Sequence, residues 1–487
     1  MKWLTQLNFS ELIPNDYEDV RALIPEALVT FVAALPAHRV AEILDAQNRL
    51  GESASSTERM TALARCCPTL HKLGQTLARD HRLIPGFRTA LQSLESLPVA
   101  EPRPDIVAAI MRELDTCGLS DPSRVARVEP MPIAEASVAF VVPFTWHDPS
   151  RRADAEGVFK ILKPDVETRL REDMAAWERV GEFLDAAASS GRIPPLDYRG
   201  TLKDLRTHLV RELDLSSEQA HLTEAAALLA GCGDVIVPEP LPFGTPRMTA
   251  MTRVRGQLLG TAIHNARPAL AGALARAFLA RPMFSAEESA LFHADPHAGN
   301  LMLTPDGRVA ILDWSLVGRL SRNHRQSLAR LLLSGWMRNV EAATTAADEL
   351  AGGSLSAPAT SVMHDALASL FWSKPPGFRW MTDLLDRLVL AGARLPSDLL
   401  LFRKVVLTLE GVWADIQPGF DPDTALYQAG WLEFLREWPS RVASHWSTPG
   451  NRTHLSSFDL AAAWMRVPQW TMDYWTAALG LVPPRNR

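Results

Sequence analysis

The sequence predicts an α+β fold of two lobes, with an added helical N-terminal extension and a helical C-terminal tail. Three observations carry this expectation. Apolar residues recur at helical spacing through much of the first 117 residues, and strand signals cluster between about 137 and 254. From Gly256 the pattern turns helical again, broken only over 291–318. At 487 residues the chain is too long for one small domain, so two lobes plus extensions is the natural division.

Residues 17–50 place Val20, Leu23, Ile24, Leu28, Phe31 and Val32 at helical spacing. A polar stretch at 51–58 interrupts them, a second helical block covers 59–79, and more helix follows Pro85. Pro98, Pro102 and Pro104 mark the next boundary, before a short helix over 106–117. Residues 137–144 are β-branched and aromatic, 145–157 are polar, and 158–162 repeat the strand signal, which reads as a hairpin with a long connection. Helices are expected over 164–188 and 202–229, and strands at 235–237 and around 247–254. The resulting organisation is 1–58 N-terminal helices, 59–127 helical extension, 128–255 first lobe, 256–425 second lobe and 426–487 Trp-rich tail.

Composition narrows the class. Hydrophobic residues at 47% and charged residues at 22% are those of an ordinary folded protein. A net charge of −6 carries no whole-protein signature of nucleic-acid binding. Cys66, Cys67, Cys117 and Cys232 form no CxxC spacing, which suits buried thiols in a reducing compartment. The opening residues after Lys2 have no apolar h-region, so they do not read as a secretory signal. No uncharged apolar run approaches the roughly 18–20 residues of a membrane span. The expectation is a cytoplasmic protein, with peripheral contact at the inner face of the membrane left open.

The chemistry centres on Phe292-His-Ala-Asp-Pro-His-Ala-Gly-Asn-Leu-Met-Leu303, followed by Asp306-Gly307 and Val309-Ala-Ile-Leu-Asp313. Phosphoryl transfer needs one carboxylate to orient the acceptor hydroxyl. It also needs a second carboxylate and an amide oxygen to hold Mg²⁺ against the phosphates. Asp295 suits the first role, and Asn300 and Asp313 the second. HxDxxxxN followed by an apolar strand ending in Asp is the catalytic and metal loop of the protein-kinase fold. The competing reading takes His293, Asp295 and His297 as an HxDxH zinc or iron cluster. It leaves the continuation into Gly-Asn-Leu-Met-Leu and Leu-Asp unused.

A kinase fold also needs a strand cation for the phosphates. Lys160, alternating with Phe159 and Ile161, is the candidate. Lys163 competes, but it precedes Pro164 at the strand end and reads as solvent-facing. No GxxxxGK[ST] occurs, which removes the P-loop reading. GxGxxG is also missing upstream of Lys160. Its place is taken by Pro132-Ile-Ala-Glu-Ala-Ser-Val138, whose small residues let backbone N–H groups approach phosphate less freely than glycine would.

With these motifs the chain resembles the UbiB/AarF/ADCK family of atypical kinases from about Leu70 to about Asp421. Lys72-Leu-Gly-Gln75 is similar to the family's KxGQ signature, and Ala134-Glu-Ala-Ser137 to its alanine-rich loop. Glu212-Leu-Asp-Leu-Ser-Ser-Glu218 is similar to its ExD element and helix glutamate. Leu395-Pro-Ser-Asp and Leu407-Thr-Leu-Glu-Gly-Val412 resemble its C-terminal helices. The resemblance implies a two-lobed kinase-like fold with the N-terminal extension packed over the active site. Lys72 would reach toward Glu212 and Asp214, with a plain helix-surface lysine as the alternative. Lys160 would meet the phosphates beside Ala134, Ala136 and Ser137, held by Glu218. Asp295 would be the catalytic acid/base, and Asn300 and Asp313 would hold magnesium. ATP and Mg²⁺ are the implied cofactors, with an unidentified small-molecule or lipid acceptor in ubiquinone or other isoprenoid lipid metabolism.

Four departures qualify the resemblance. Asp313-Trp314-Ser315 stands where the family has DFG, so the flexible glycine is lost. Glu135 replaces an alanine, placing a negative charge near the expected phosphates. Phe140 stands for the common Gln, and Ala78 for the common Ser. Two other readings therefore stand beside an active kinase or ATPase. One is a nucleotide-binding pseudokinase that regulates a biosynthetic complex. The other is a small-molecule phosphotransferase of the aminoglycoside/choline type, whose loop the Asp313-Trp314 pair also resembles. A purely structural scaffold would leave the set without a reason. In the tail, Trp431, Trp438, Trp446, Trp464, Trp470 and Trp475 suggest interfacial contact over 460–481, an interfacial helix pair interrupted at Pro468. A Lys/Arg-rich polar face is lacking there.

Overall fold

The computed structural model describes residues 23–77, 102–117, 125–193, 210, 212–262, 268–353, 355, 357–370, 376–445 and 452–465. Two compact units divide the chain, Met1–Ala220 with Glu239–Arg253 and His221–Pro238 with Val254–Arg487.

The first unit opens with paired helices, α1 (Ile24–Ala34), α2 (Ala37–Arg49), α3 (Ser56–Cys66) and α4 (Pro68–Leu77). Each helical block expected from periodicity is thus split in two at a proline, Pro36 or Pro68, because the residue before a proline is driven out of helical backbone. Helix α3 starts three residues earlier than its apolar pattern, since Ser55 and Glu58 form a reciprocal capping box. Leu28, Phe31, Val32, Ile43 and Leu63 pack with Ala176 and Val180 of the long helix α6 (Val166–Ser189). Helix α5 (Pro104–Thr116) lies between these in sequence.

Buried charge ties this packing together. The fully buried Arg39 donates to Asp173 Oδ1 at 2.9 Å and to the Cys66 carbonyl at 2.9 Å. Thr69, at the start of α4, donates its amide and hydroxyl to the other oxygen of Asp173 at 3.2 and 2.9 Å. Burial raises the Asp173 carboxyl above its ordinary range, and the Arg39 guanidinium opposes that rise.

The sheet of this unit runs β1 (Val125–Val128), β3 (Ala139–Asp148), β4 (Ala153–Leu162), β6 (Met248–Thr252), with β2 (Ala134–Glu135) paired to β3. The long connection expected between β3 and β4 is instead a short turn. The ladder continues out to Asp148 opposite Ala153, and Arg152 takes a left-handed φ of 52°. The outer part of β4 is exposed on a solvated edge, so its polar residues satisfy strand pairing without an apolar signal. Helix α5 seals one face of the sheet, where Ile106, Ile110 and Leu114 meet Phe140, Phe144, Phe159 and Ile161. Phe144 and Phe159 stack at 3.8 Å. A side chain at Gly157 would collide with the Phe144 ring, which explains glycine in this strand.

Helix α7 (Leu215–Leu229) is shorter than the helix expected over 202–229: its first turn starts after a break at Leu213–Asp214, and 202–209 lie outside the described residues. In the second unit a small sheet has the order β5 (Val235–Ile236), β10 (Val309–Ile311), β9 (Leu301–Leu303), β7 (Gln257–Leu258). A two-stranded ribbon pairs β8 (Ser289–His293) with β11 (Val317–Ser321). Around them lie α8 (Ala269–Ala275), α9 (Arg322–Trp336), α10 (Val340–Leu350), α11 (Phe378–Leu390), α12 (Ser397–Ile416) and α13 (Pro422–Ala443).

A cavity of about 800 Å³ in this unit is walled by Trp336, Trp431, Phe434, Trp438 and Trp464. Of the interfacial segment expected over 460–481, residues 466–481 lie outside the described residues. Among the described residues no helix is long and apolar enough to cross a membrane.

Arg39→Met leaves the buried Asp173 without its cation, and should lower the free energy of unfolding by about 3–5 kcal/mol. Adding Asp173→Leu should restore only part of that loss, because the buried Thr69 amide and hydroxyl then lose their acceptor. Urea unfolding of the single and double variants checks both outcomes.

Candidate active site

Alternation along β4 sends Phe159 and Ile161 into the core and Lys160 to the opposite face. There the Lys160 ammonium donates to Glu218 Oε1 at 2.7 Å, in a site where Lys160 is 8% exposed and Glu218 1%. A buried pair of this kind is held only where both partners are placed by rigid elements. The β4–β6 ladder sets Lys160 opposite Thr249. Gln219, next to the glutamate, donates to the Thr245 and Met248 carbonyls at 2.9 and 3.2 Å and pins the start of α7 to β6. Asp214 caps the same helix, accepting from the Ser217 amide at 3.1 Å and the Ser217 hydroxyl at 2.6 Å.

The alanine-rich loop folds as a turn. Glu135 pairs with Phe140 across β2 and β3, and the Ala136 amide donates to the Ala139 carbonyl at 2.9 Å. The Ser137 hydroxyl donates to Glu212 Oε2 at 3.3 Å, while the other Glu212 oxygen forms an ion pair with Lys72 from α4. Lys72, Glu212 and Ser137 therefore make one chain of contacts, and Lys72 is not a plain surface lysine.

Lys163 does not face solvent. Its side chain is 15% exposed and donates to Glu135 Oε1 at 2.6 Å. Its amide donates to the Val138 carbonyl at 2.9 Å, which brings the residue against the loop. The Phe140 ring lies under both the Lys163 ammonium, at 5.3 Å, and the Arg103 guanidinium, at 4.7 Å. Burial lowers the Lys163 pKa, and the Glu135 carboxylate counteracts it. The charge at Glu135 is thus compensated inside the loop.

In the second unit β8 delivers His293 to a fully buried position between Phe278 and Trp314, ring centroids 5.6 and 4.9 Å away. Its Nδ1 accepts from the Asp295 amide at 3.1 Å. Its Nε2 lies 3.2 Å from the Leu312 carbonyl and 3.0 Å from that of Asp313. These partners require a neutral ring with its proton on Nε2, and burial lowers the His293 pKa accordingly. Both ring nitrogens are engaged, so the HxDxH metal cluster loses one of its ligands.

The Asn300 Nδ2 donates to the Asp295 carbonyl at 3.1 Å, so its amide oxygen is the atom that could serve a metal. The Leu312 amide donates to the Asn300 carbonyl at 2.8 Å, joining the two loops. Asp313 takes a left-handed φ of 50°, and its Oδ1 accepts from the Ser315 amide at 3.2 Å. Ser315 itself is not in the left-handed region, so its backbone does not demand the glycine of DFG. Trp314 fills the interior under the loop, donating to the Ile311 carbonyl at 3.2 Å.

Sequence reasoning missed one partner. Lys404, on α12, donates to Asp295 Oδ1 at 3.0 Å. A lysine in a run of leucines and valines carries no local sign of a partner 109 residues away. On the other side, His297 Nε2 lies 3.6 Å from Asp295 Oδ2.

Residues 113–347 match the ABC1 atypical kinase-like domain. The chain is 27% identical over 385 residues to a "Probable protein kinase UbiB" of Xylella fastidiosa (strain M12), covering 74% of this chain and 66% of that protein. A protein of the same name from Xanthomonas euvesicatoria pv. vesicatoria (strain 85-10) is 26% identical over 397 residues, with the same coverage. The chain thus spans just under two thirds of the length of these curated relatives. A solved chain from the Rv3197–erythromycin complex of Mycobacterium tuberculosis aligns with TM-score 0.48 and 19% identity, covering 81% of this chain and 87% of that one.

Glu135→Ala removes the carboxylate that compensates the poorly exposed Lys163 ammonium. It should cost about 1–3 kcal/mol of stability in a denaturant titration. Lys163→Met in the same chain should recover most of the loss.

Proposed function

We propose that the protein is a Mg-ATP-dependent atypical kinase or ATPase of UbiB type, acting on a small-molecule or lipid acceptor. The observation that carries this reading is the Lys160–Glu218 ion pair at 2.7 Å in a chain that also has Asp295, Asn300 and Asp313 on two hydrogen-bonded loops. Lys160 meets the nucleotide phosphates, and Glu218 holds the ammonium in place. The loop with Ala134, Ala136 and Ser137 approaches the phosphates, and Lys72, Glu212 and Asp214 shape its surroundings. Asp295 accepts the proton of the attacking hydroxyl while that oxygen bonds to the γ-phosphorus. The bond to the bridging oxygen breaks, and ADP leaves with the electron pair.

The hard oxygen donors of Asp313 and Asn300 fit magnesium, and their second atoms are already tied to Ser315 N–H and the Asp295 carbonyl. Bound there, the ion would neutralise charge on the phosphates. A lipid or quinone precursor in ubiquinone or other isoprenoid metabolism is the acceptor implied by the UbiB resemblance. Exposed Trp431, Trp438 and Trp464 support peripheral contact with a membrane surface on the cytoplasmic side.

Purified protein should hydrolyse MgATP, and Lys160→Ala and Asp313→Asn should each lower turnover by at least about a hundredfold. Thermal shift by MgATP is measured in parallel. A shift without turnover would favour the nucleotide-binding pseudokinase. Neither shift nor turnover would sink the proposal.

A further inference from the structure

We propose that Lys404 is a positioning residue for phosphotransfer: an ammonium supplied by the C-terminal helix α12 that holds the Asp295 carboxylate in its reactive pose. The inference rests on the reading of Asp295 as the group that accepts the hydroxyl proton.

Asp295 is only 8% exposed, and the terminal torsion of its carboxylate is intrinsically broad and nearly two-fold. A base that rotates presents its lone pairs to the acceptor for only part of the time. Lys404 Nζ sits 3.0 Å from Oδ1, while His297 Nε2 faces Oδ2 from 3.6 Å. With Oδ1 engaged by Lys404 and His297 beside Oδ2, the carboxylate torsion is set. The ammonium also offsets the charge of a carboxylate that is largely removed from water.

The lysine is committed to this contact by its surroundings. Residues three and four away on the same helix are Leu400, Leu401, Leu407 and Thr408, so no carboxylate at helical spacing can hold it locally. The neighbouring Arg403 is taken by Asp386 of α11, and Glu410 by Arg379.

The helix itself is docked on the strand that leads into the base. Phe402 meets Phe292 edge-on at 5.2 Å, one residue before His293. Asp398 accepts the Arg319 amide of β11 at 3.1 Å. A side chain launched from a packed helix is placed more accurately than one on a loop, which is what a positioning cation needs. The Lys404 side chain is 40% exposed, so its replacement leaves no buried void.

The test measures steady-state MgATP hydrolysis by the full chain, with melting temperature as the folding control. Lys404→Met should lower kcat by about a hundredfold, the cost of a misplaced reacting group, with KM for MgATP nearly unchanged. Lys404→Arg should recover most of kcat, because a guanidinium can still reach the same carboxylate. Asp295→Asn with Lys404→Met should be no slower than Asp295→Asn alone, since the lysine acts only through the aspartate. Wild-type kcat in a folded Lys404→Met would overturn the proposal. So would a loss confined to KM, or a double variant slower by the product of the two single effects. If Asp313→Asn abolishes turnover while Lys404→Met leaves it intact, the phosphotransfer reading stands and the lysine assignment falls. No turnover by the wild-type chain would bring both down.

Discussion

The second unit is organised around one neutral imidazole. His293 accepts from the backbone of Asp295 on one side and reaches the carbonyls of Leu312 and Asp313 on the other. Two loops about twenty residues apart in sequence are thereby held by a single ring. Trp314 and Phe278 enclose that ring edge-on and keep water from competing for its nitrogens. The ring can serve both loops only while uncharged, and its burial favours that state. Asn300 then follows, because the strands β9 and β10 can pair only when the loops that precede and follow them are in register.

The first unit depends on buried charge placed in a comparable way. Arg39 and Asp173 lie on different helices, and Thr69 joins them from the start of α4. That node sets where α4 begins, and so where Lys72 emerges one turn later to meet Glu212. Ordinary surface pairs could not do this, since exposed ion pairs are weak and tolerate many geometries. Removed from water, the same groups are held to one arrangement by the cost of leaving any of them unmatched.

The departures from the family pattern become intelligible as local sets. Glu135 and Phe140 face one another across β2 and β3, and Lys163 reaches both. The acidic residue brings its own cation, and the aromatic ring replaces a polar side chain as the surface on which two cations rest. Ser315, likewise, supplies an amide to Asp313 without adopting the backbone that would call for glycine.

Much of this was legible in the sequence. Strand alternation around Lys160, the HxDxxxxN spacing, the apolar strand before Asp313 and the helical periodicity of both ends are local properties, set by residues a few positions apart. The placement of Lys160, Asp295, Asn300 and Asp313 on strand ends and loops follows from them. Tertiary structure alone decided the partners. Whether Lys163 points to solvent or to Glu135, what Lys404 meets across 109 residues, and how far β3 and β4 extend into polar sequence all depend on contacts between distant segments. A charged side chain carries no mark of its partner. Only the packed elements that remove it from water determine which opposite charge it must find.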